Sequence, residues 1–288
     1  MPMPLQIGEW IHSATARLKA GGLSCGDYAH HARQIAEHCL HLTAAQILSN
    51  QTSALSPQSQ AQLESFLSRR LQGEPLQYIT GREYFWKSEF RVGPGVLIPR
   101  RETEHVIEYL CSLPNPVANV VELGAGSGNI GISLLQERPQ WTWKAVEKSP
   151  LAHSYAAANA QAILGPPGTH GYQLVQGDFF ALVPQVPTFD LLVSNPPYIA
   201  SAEIDTLSKE VQNEPREALD GGQTGLNFVE RLARAGLRCL KPGGRLVLEI
   251  GSDQEAAGLE ILRTLGYVQP SVLKDLAGLP RVLVGQKA

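Results

Sequence analysis

From Leu5 to about Gln72 apolar residues recur at helical spacing. Ile7, Trp10, Ile11, Ala14 and Leu18 follow the i, i+3, i+4 rule, and Gly21-Gly22 closes that helix. A second amphipathic segment runs from Tyr28 to Leu42, and Pro57 opens a third, PQSQAQLESFLSRRLQG, which Gly73 stops. The pattern predicts a small N-terminal helical bundle over residues 1–73. It changes at Glu74, where a connecting stretch of residues 74–101 begins. Within it, YFWKSEFRVGPGVLIPR alternates apolar and polar positions around Gly93-Pro94-Gly95, which predicts a β-hairpin.

Over residues 102–288 strands and helices alternate. Strands are predicted at Asn119–Leu123, Trp141–Glu147, Tyr172–Gln176, Phe189–Ser194, Arg245–Ile250, Gly266–Leu273 and Val282–Val284. Alternation of this kind predicts an α/β domain, a mainly parallel sheet covered by helices on both faces. The chain shows no internal repeat and no low-complexity tract.

Composition narrows the picture. A chain of 288 residues with 43% apolar and 18% charged positions has the make-up of a globular protein with two domains, or one domain and an appendage. A net charge of −3 argues against attachment to DNA mainly through phosphate contacts. Cys25, Cys39, Cys111 and Cys239 are far apart and form no CxxC pair, as expected of free thiols in a reducing compartment. No run approaches the ~20 apolar residues of a membrane helix. The N-terminal stretch lacks the apolar core of a signal peptide, and Arg17 is its one arginine, which disfavours a transit peptide. A cytoplasmic monomer without membrane contact is the expectation.

The chemistry begins at VVELGAGSGNIG. Gly124, Gly126 and Gly128, with Ala125 and Ser127 between them, form a turn from strand to helix that lets backbone amides approach a cofactor closely. Glu147, about 20 residues on at the end of the next strand, is placed to bind a ribose hydroxyl pair. Gly126 to Gly131 also satisfies G-x-G-x-x-G, the dinucleotide fingerprint. The strand VVEL stops directly before Gly124, however, so Gly124 is the first turn glycine and the third falls on Asn129. Glu122, beside the turn, suits a cofactor bearing an ammonium and a sulfonium. After the third strand, Asp178 is positioned to accept from an adenine amino group and Phe179 to pack on the ring, although an Asp there is also a common helix cap.

The fourth strand ends in Asn195-Pro196-Pro197-Tyr198. Prolines cannot continue a sheet, so they form a stiff mount at the strand edge where open α/β sheets bind ligands. The Asn195 side-chain oxygen and the Pro196 carbonyl can each accept one N–H of a planar NH2 group. Those acceptors orient the nitrogen lone pair toward an electrophilic methyl and stabilise the charge that develops. Tyr198 can lie flat against the planar group.

With these motifs in place the chain resembles the HemK/PrmC family, S-adenosylmethionine-dependent methyltransferases that modify the side-chain amide nitrogen (N5) of a glutamine in peptide-chain release factors. Beyond ELGAGSG and NPPY, the resemblance rests on PLQYITG (75–81), VLIPR with ETE (96–104), NEPREAL (213–219), LKPGGRLVLEIG (240–251) and DLAG followed by RV (275–282). It implies a class I fold, a seven-stranded, mostly parallel Rossmann-like sheet, and a helical N-terminal domain that helps grip the release factor. It implies that Gly124 to Gly128, Glu147, Phe179 and Asn195 contact the cofactor, and that Asn195, Pro196, Pro197 and Tyr198 hold the glutamine of a Gly-Gly-Gln loop. S-adenosylhomocysteine would be the product. Two positions depart from the family pattern: Glu147 replaces an Asp, and Arg101 stands where a Pro is expected.

NPPY is shared with adenine-N6 DNA methyltransferases, but the target-recognition region and basic face they need are not evident, so no direct nucleic-acid contact is expected. A ribosomal-protein glutamine is a nearer alternative substrate. A protein that only binds cofactor has no use for Asn195 to Tyr198. His30, His31, His38, His41 and Cys39 read as a soluble helix face, and no metal is assigned. Tyr84, Phe85, Trp86 and Phe90 read as one packed face of the hairpin. Gly221-Gly222-Gln223 is a loop that paired glycines allow to turn tightly.

Overall fold

A computed structural model describes residues 4–22 and 26–288; Cys25 lies outside them. The fold divides into two compact units. One is the chain through Arg82 together with Leu207–Asn213, and the other is Glu83–Thr206 with Glu214–Ala288.

The first unit is helical. Helices Ile7–Ala20, Tyr28–Leu40, Ala44–Ser49, Pro57–Leu71 and Leu76–Thr80 surround a core that includes Trp10, Leu18, Ile35, Leu63 and Leu67. Two short helices, Ala44–Ser49 and Leu76–Thr80, go beyond the three expected. Each is too short to show periodicity and is defined by its ends. Thr43 and Gln46 form a capping box on the first, and Gly81, in a left-handed conformation, ends the second.

Arg70 is fully buried here. Its Nε donates to His31 Nδ1 at 3.2 Å, its Nη1 to the Glu74 carbonyl at 3.1 Å, and its Nη2 to the Glu210 carboxylate. Burial and the neighbouring guanidinium hold His31 down at about 4, so the ring is neutral and free to accept. The four-residue helix Lys209–Gln212 thereby closes the bundle, from a place in the chain far from the other helices.

The second unit opens within a hairpin, β1 (Arg82–Phe85) and β2 (Ser88–Arg91), of which Arg82 alone belongs to the first unit. The turn falls at Trp86-Lys87, not at Gly93-Pro94-Gly95 as the alternation predicts. Trp86 takes a positive φ of 56°, unusual for a bulky residue. Tertiary contacts hold it there: its backbone N–H donates to Glu104 at 2.7 Å and its indole N–H to Glu137 at 2.8 Å. Gly93-Pro94-Gly95 follows β2 and packs on the helix Pro150–Ile163, where a side chain at Gly95 would strike Leu151. Phe85 and Phe90 meet edge to face on the buried side of the hairpin, whereas Tyr84 is exposed.

The sheet contains β3 (Asn119–Leu123), β4 (Thr142–Glu147), β5 (Tyr172–Gln176), β6 (Phe189–Ser194), β7 (Leu240–Glu249), β8 (Val268–Lys274) and β9 (Pro280–Gln286). Its order is β5-β4-β3-β6-β7-β9-β8, with β9 antiparallel to both neighbours and the remaining pairs parallel. Val120, Leu191, Val193 and Val247 face one apolar layer, and Val121, Leu192, Leu246 and Leu248 face the other. Burial on both faces is why these strands read as near-continuous apolar runs. β7 begins at Leu240, five residues before the expected Arg245, because the Pro-Gly-Gly stretch is carried as an irregularity opposite Phe189 and Leu191.

Candidate active site

The strand order reverses between β3 and β6, and a cavity of about 400 Å³ opens at their C-terminal ends. Ser194 ties the two ends together, its hydroxyl donating to the Leu123 carbonyl at 2.5 Å. Gly124 and Gly126 line the cavity with φ of +79° and +58°, and an added Cβ at either would meet only open space. Side chains are disfavoured here by backbone conformation, and their absence keeps the amides open to a ligand. Gly128 caps the helix Asn129–Glu137 in the same left-handed region, but a Cβ there would strike Ile132. Ala125, Ser127 and Gly128 sit behind the loop and do not line the cavity.

Glu147 reaches the cavity wall from the end of β4. Its Oε2 accepts from Gly126 N and its Oε1 from Ser149 N, each at 2.8 Å. Burial raises its carboxyl, and these backbone donors oppose the rise. The acid therefore shapes the glycine loop from within.

Glu122 departs from the expectation of a cofactor-facing acid. It is fully buried, does not line the cavity, and accepts the Trp143 indole N–H at 2.7 Å. Burial pushes it up to about 8, so it carries a proton at neutral pH.

Asp178 and Phe179 line the opposite wall. Asp178 caps the short helix Phe179–Leu182 through a 2.9 Å bond from Phe180 N, so one of its oxygens is already engaged. The Phe179 and Phe180 rings lie 4.3 Å apart, and the Arg231 guanidinium sits 3.7 Å above the Phe180 ring. Phe228 and Arg231 gave no sign in the sequence, being i, i+3 positions of an ordinary amphipathic helix, Asn227–Cys239.

Asn195, Pro196 and Pro197 line the cavity directly after β6. Asn195 Nδ2 donates to the Thr103 hydroxyl at 3.1 Å. Tyr198 is outside the cavity lining, and burial raises its phenol. Its carbonyl accepts from Gln254 Nε2 at 2.8 Å, and Gln254 Oε1 in turn accepts from Gly251 N at 3.0 Å. Ile199 bridges Asp220 and accepts from Gly221 N, which brings the Gly221-Gly222 turn beside the Pro197 carbonyl. Glu214 is buried, accepting from Ile98 N at 2.9 Å and from Arg100; Arg216 is exposed and pairs with Asp205 and Asp220.

Thr103 was legible only as part of ETE, and Gln254 not at all. Asn159 was also missed. It joins β2 to the glycine loop, donating to the carbonyls of Arg91 and Ser127 and accepting from Arg91 N. Among the described residues no group of three or more His, Cys, Asp or Glu is arranged to hold a metal ion, and no helix is long and apolar enough to cross a membrane.

Residues 9–81 match the PrmC N-terminal domain, and residues 107–222 the methyltransferase small domain. A release factor glutamine methyltransferase from Cereibacter sphaeroides is 38% identical over 280 residues, 97% of this chain and 98% of its own. Another from Caulobacter vibrioides is 38% identical across 99% of this chain and 98% of its own. A methyltransferase from Pyrococcus furiosus, 19% identical, shares the fold with a TM-score of 0.52 over 69% of this chain and 88% of that one.

Proposed function

Because this chain belongs to the release factor glutamine methyltransferase family, we propose that it transfers a methyl group from S-adenosylmethionine to the N5 side-chain amide nitrogen of the glutamine in the Gly-Gly-Gln loop of a release factor. One observation carries the reading: Asn195-Pro196-Pro197 and the Gly124–Gly126 loop line one cavity at the point where the strand order reverses. Such a cavity can hold a planar amide next to a nucleoside-bearing donor.

The residues present fit S-adenosylmethionine. Gly124 and Gly126 leave space that a Cβ would enter, Glu147 presents a carboxylate at the end of β4, and Phe179 offers an aromatic face. The cofactor supplies an electrophilic methyl on a positively charged sulfur. The chain's own work is to hold the acceptor. Asn195 Oδ1 and the Pro196 carbonyl take the two N–H groups of the glutamine amide, and that polarisation leaves the lone pair directed at the methyl. As the nitrogen becomes positive, both acceptors bind it more tightly than the ground state, which is where the rate gain arises, and loss of one N–H proton to solvent then leaves the neutral N-methyl amide. Tyr198, outside the cavity lining, supports the proline turn through the bond its carbonyl accepts from Gln254. The helical unit grips the release factor, and free Cys39, Cys111 and Cys239 support a reducing cytoplasmic setting.

The test is transfer of labelled methyl from S-adenosylmethionine to an unmodified release factor, with adenine-containing duplex DNA alongside. Label mapped to the Gly-Gly-Gln glutamine is the expected result. Label in DNA alone would overturn the substrate assignment.

A further inference from the structure

An asparagine amide can face a cavity with either its oxygen or its nitrogen, and only the oxygen can accept from a glutamine N–H. What selects the oxygen here lies behind Asn195. Thr103, in the 3-10 turn Arg101–Thr103, is completely buried, and its hydroxyl accepts from Asn195 Nδ2 at 3.1 Å. A hydroxyl has one proton to give. If that proton were directed at Asn195, the amide would turn over and present Nδ2 to the substrate. We propose that Thr103 is a positioning residue for methyl transfer: it accepts from Asn195 Nδ2 and so fixes Asn195 Oδ1 toward the substrate amide.

A buried acid stands beside Thr103. Glu249, at the end of β7, is buried, the Thr103 side chain is among the influences that lower its carboxyl, and its Oε2 has no partner among the described residues. When ionised, Glu249 can only accept, which commits the Thr103 proton to it and leaves a hydroxyl lone pair for Asn195. Burial raises Glu249 to about 7, and the Thr103 bond is the foremost influence lowering it, ahead of Arg281 and Arg100, with Glu102 opposing. Thr103 thus stands in a relay between Glu249 at the end of β7 and Asn195 at the cavity, with the Asn195 Nδ2 bond at 3.1 Å as its fixed link. Such a relay orients a group in contact with substrate, as outer partners orient a metal ligand.

This inference rests on the glutamine reading for its catalytic consequence, but the orientation of Asn195 can be observed without any substrate. The variants are Thr103→Val, isosteric and without a hydroxyl, and Thr103→Ser, which restores it. Steady-state transfer to the release factor is measured for each, with cofactor affinity as the control for folding. In parallel, hydrogen exchange of the Asn195 side-chain N–H is followed by NMR in protein with 15N-labelled asparagine. The expected result is a kcat lower by roughly tenfold or more in Thr103→Val, with cofactor affinity unchanged and kcat largely recovered in Thr103→Ser. One Asn195 N–H should exchange slowly in the wild type and in Thr103→Ser, and quickly in Thr103→Val. An undiminished kcat in Thr103→Val overturns the proposal, as does rapid exchange of both Asn195 N–H protons in the wild type. If the wild type modifies no release factor yet keeps that protected proton, the substrate reading falls and the positioning of Asn195 by Thr103 stands.

Discussion

Arg70 in the helical unit and Glu122 and Glu249 in the sheet unit are all shut away from solvent, but their surroundings treat them differently. Arg70 has a partner for Nε and for both terminal nitrogens: His31, Glu74 and Glu210. Among the described residues, Glu122 and Glu249 each keep one oxygen without a partner, and burial raises both carboxyls. A satisfied buried charge acts as a tie between distant parts of the chain. A half-satisfied one is a group whose protonation state stays open to adjustment, and here such groups stand at the C-terminal ends of β3 and β7, the edge where the cavity opens. Counting partners thus separates a buried charge that ties the chain together from a buried acid that takes up a proton.

The sharpest way to break this comparison is to untie Arg70. Arg70→Ala should cost about 3 kcal/mol in urea unfolding, since Glu210 and His31 lose the group they were built around. The double variant Arg70→Met with Glu210→Gln should recover part of it. An equal loss in both variants would mean the charge itself was not what mattered.

Asn195→Ala tests the opposite limit. It should slow transfer by about 2–4 kcal/mol of activation free energy while leaving unfolding stability within ~1 kcal/mol of wild type. Unchanged turnover would sink the acceptor role.

Glu122 offers a smaller, pH-dependent effect. Its folded pKa of about 8 lies above the ~4.3 of an unfolded glutamate, so folding takes up a proton between those values. The stabilisation present below the unfolded pKa is therefore lost as pH rises through the folded one. Stability should fall less steeply between about pH 5 and about pH 8 in Glu122→Gln than in wild type, with Glu249 supplying part of the remaining slope. Thermal unfolding across that range provides the check; parallel curves would show Glu122 ionised in the folded state.

The smallest effect belongs to an exposed pair. Arg234→Ala removes the i, i+4 bond to Glu230 at 2.8 Å on a solvated helix face, and should cost only a few tenths of a kcal/mol. A loss comparable to that of Arg70→Ala would undo the distinction between exposed and buried charge.

The central strands of the sheet were legible because a strand buried on both faces must be apolar along its length, and VVEL, FDLLVS and RLVLEI satisfy that locally. The glycine turn and the proline mount were legible for a similar reason. Gly124 and Gly126 answer to backbone conformation, and Pro196 and Pro197 to the end of a ladder, both constraints spanning a few neighbouring residues. The hairpin turn misled: the glycines at 93 and 95 carried the stronger local signal, yet Glu104 and Glu137 hold Trp86 in the turn from outside.

What the sequence alone determined, then, was the order of elements, the sheet, the cavity-lining turns and the family. What only the tertiary structure decided was which partners complete them: Glu122 turned into the core, Thr103 behind Asn195, Gln254 clamping Tyr198, and Leu207–Asn213 joined to the helical bundle. The difference is physical. Periodicity, capping and turn chemistry act between residues a few positions apart and leave a trace in the chain. A hydrogen bond between residues 103 and 195 depends on two strands and a turn being folded first, and neither residue carries a mark of it beforehand.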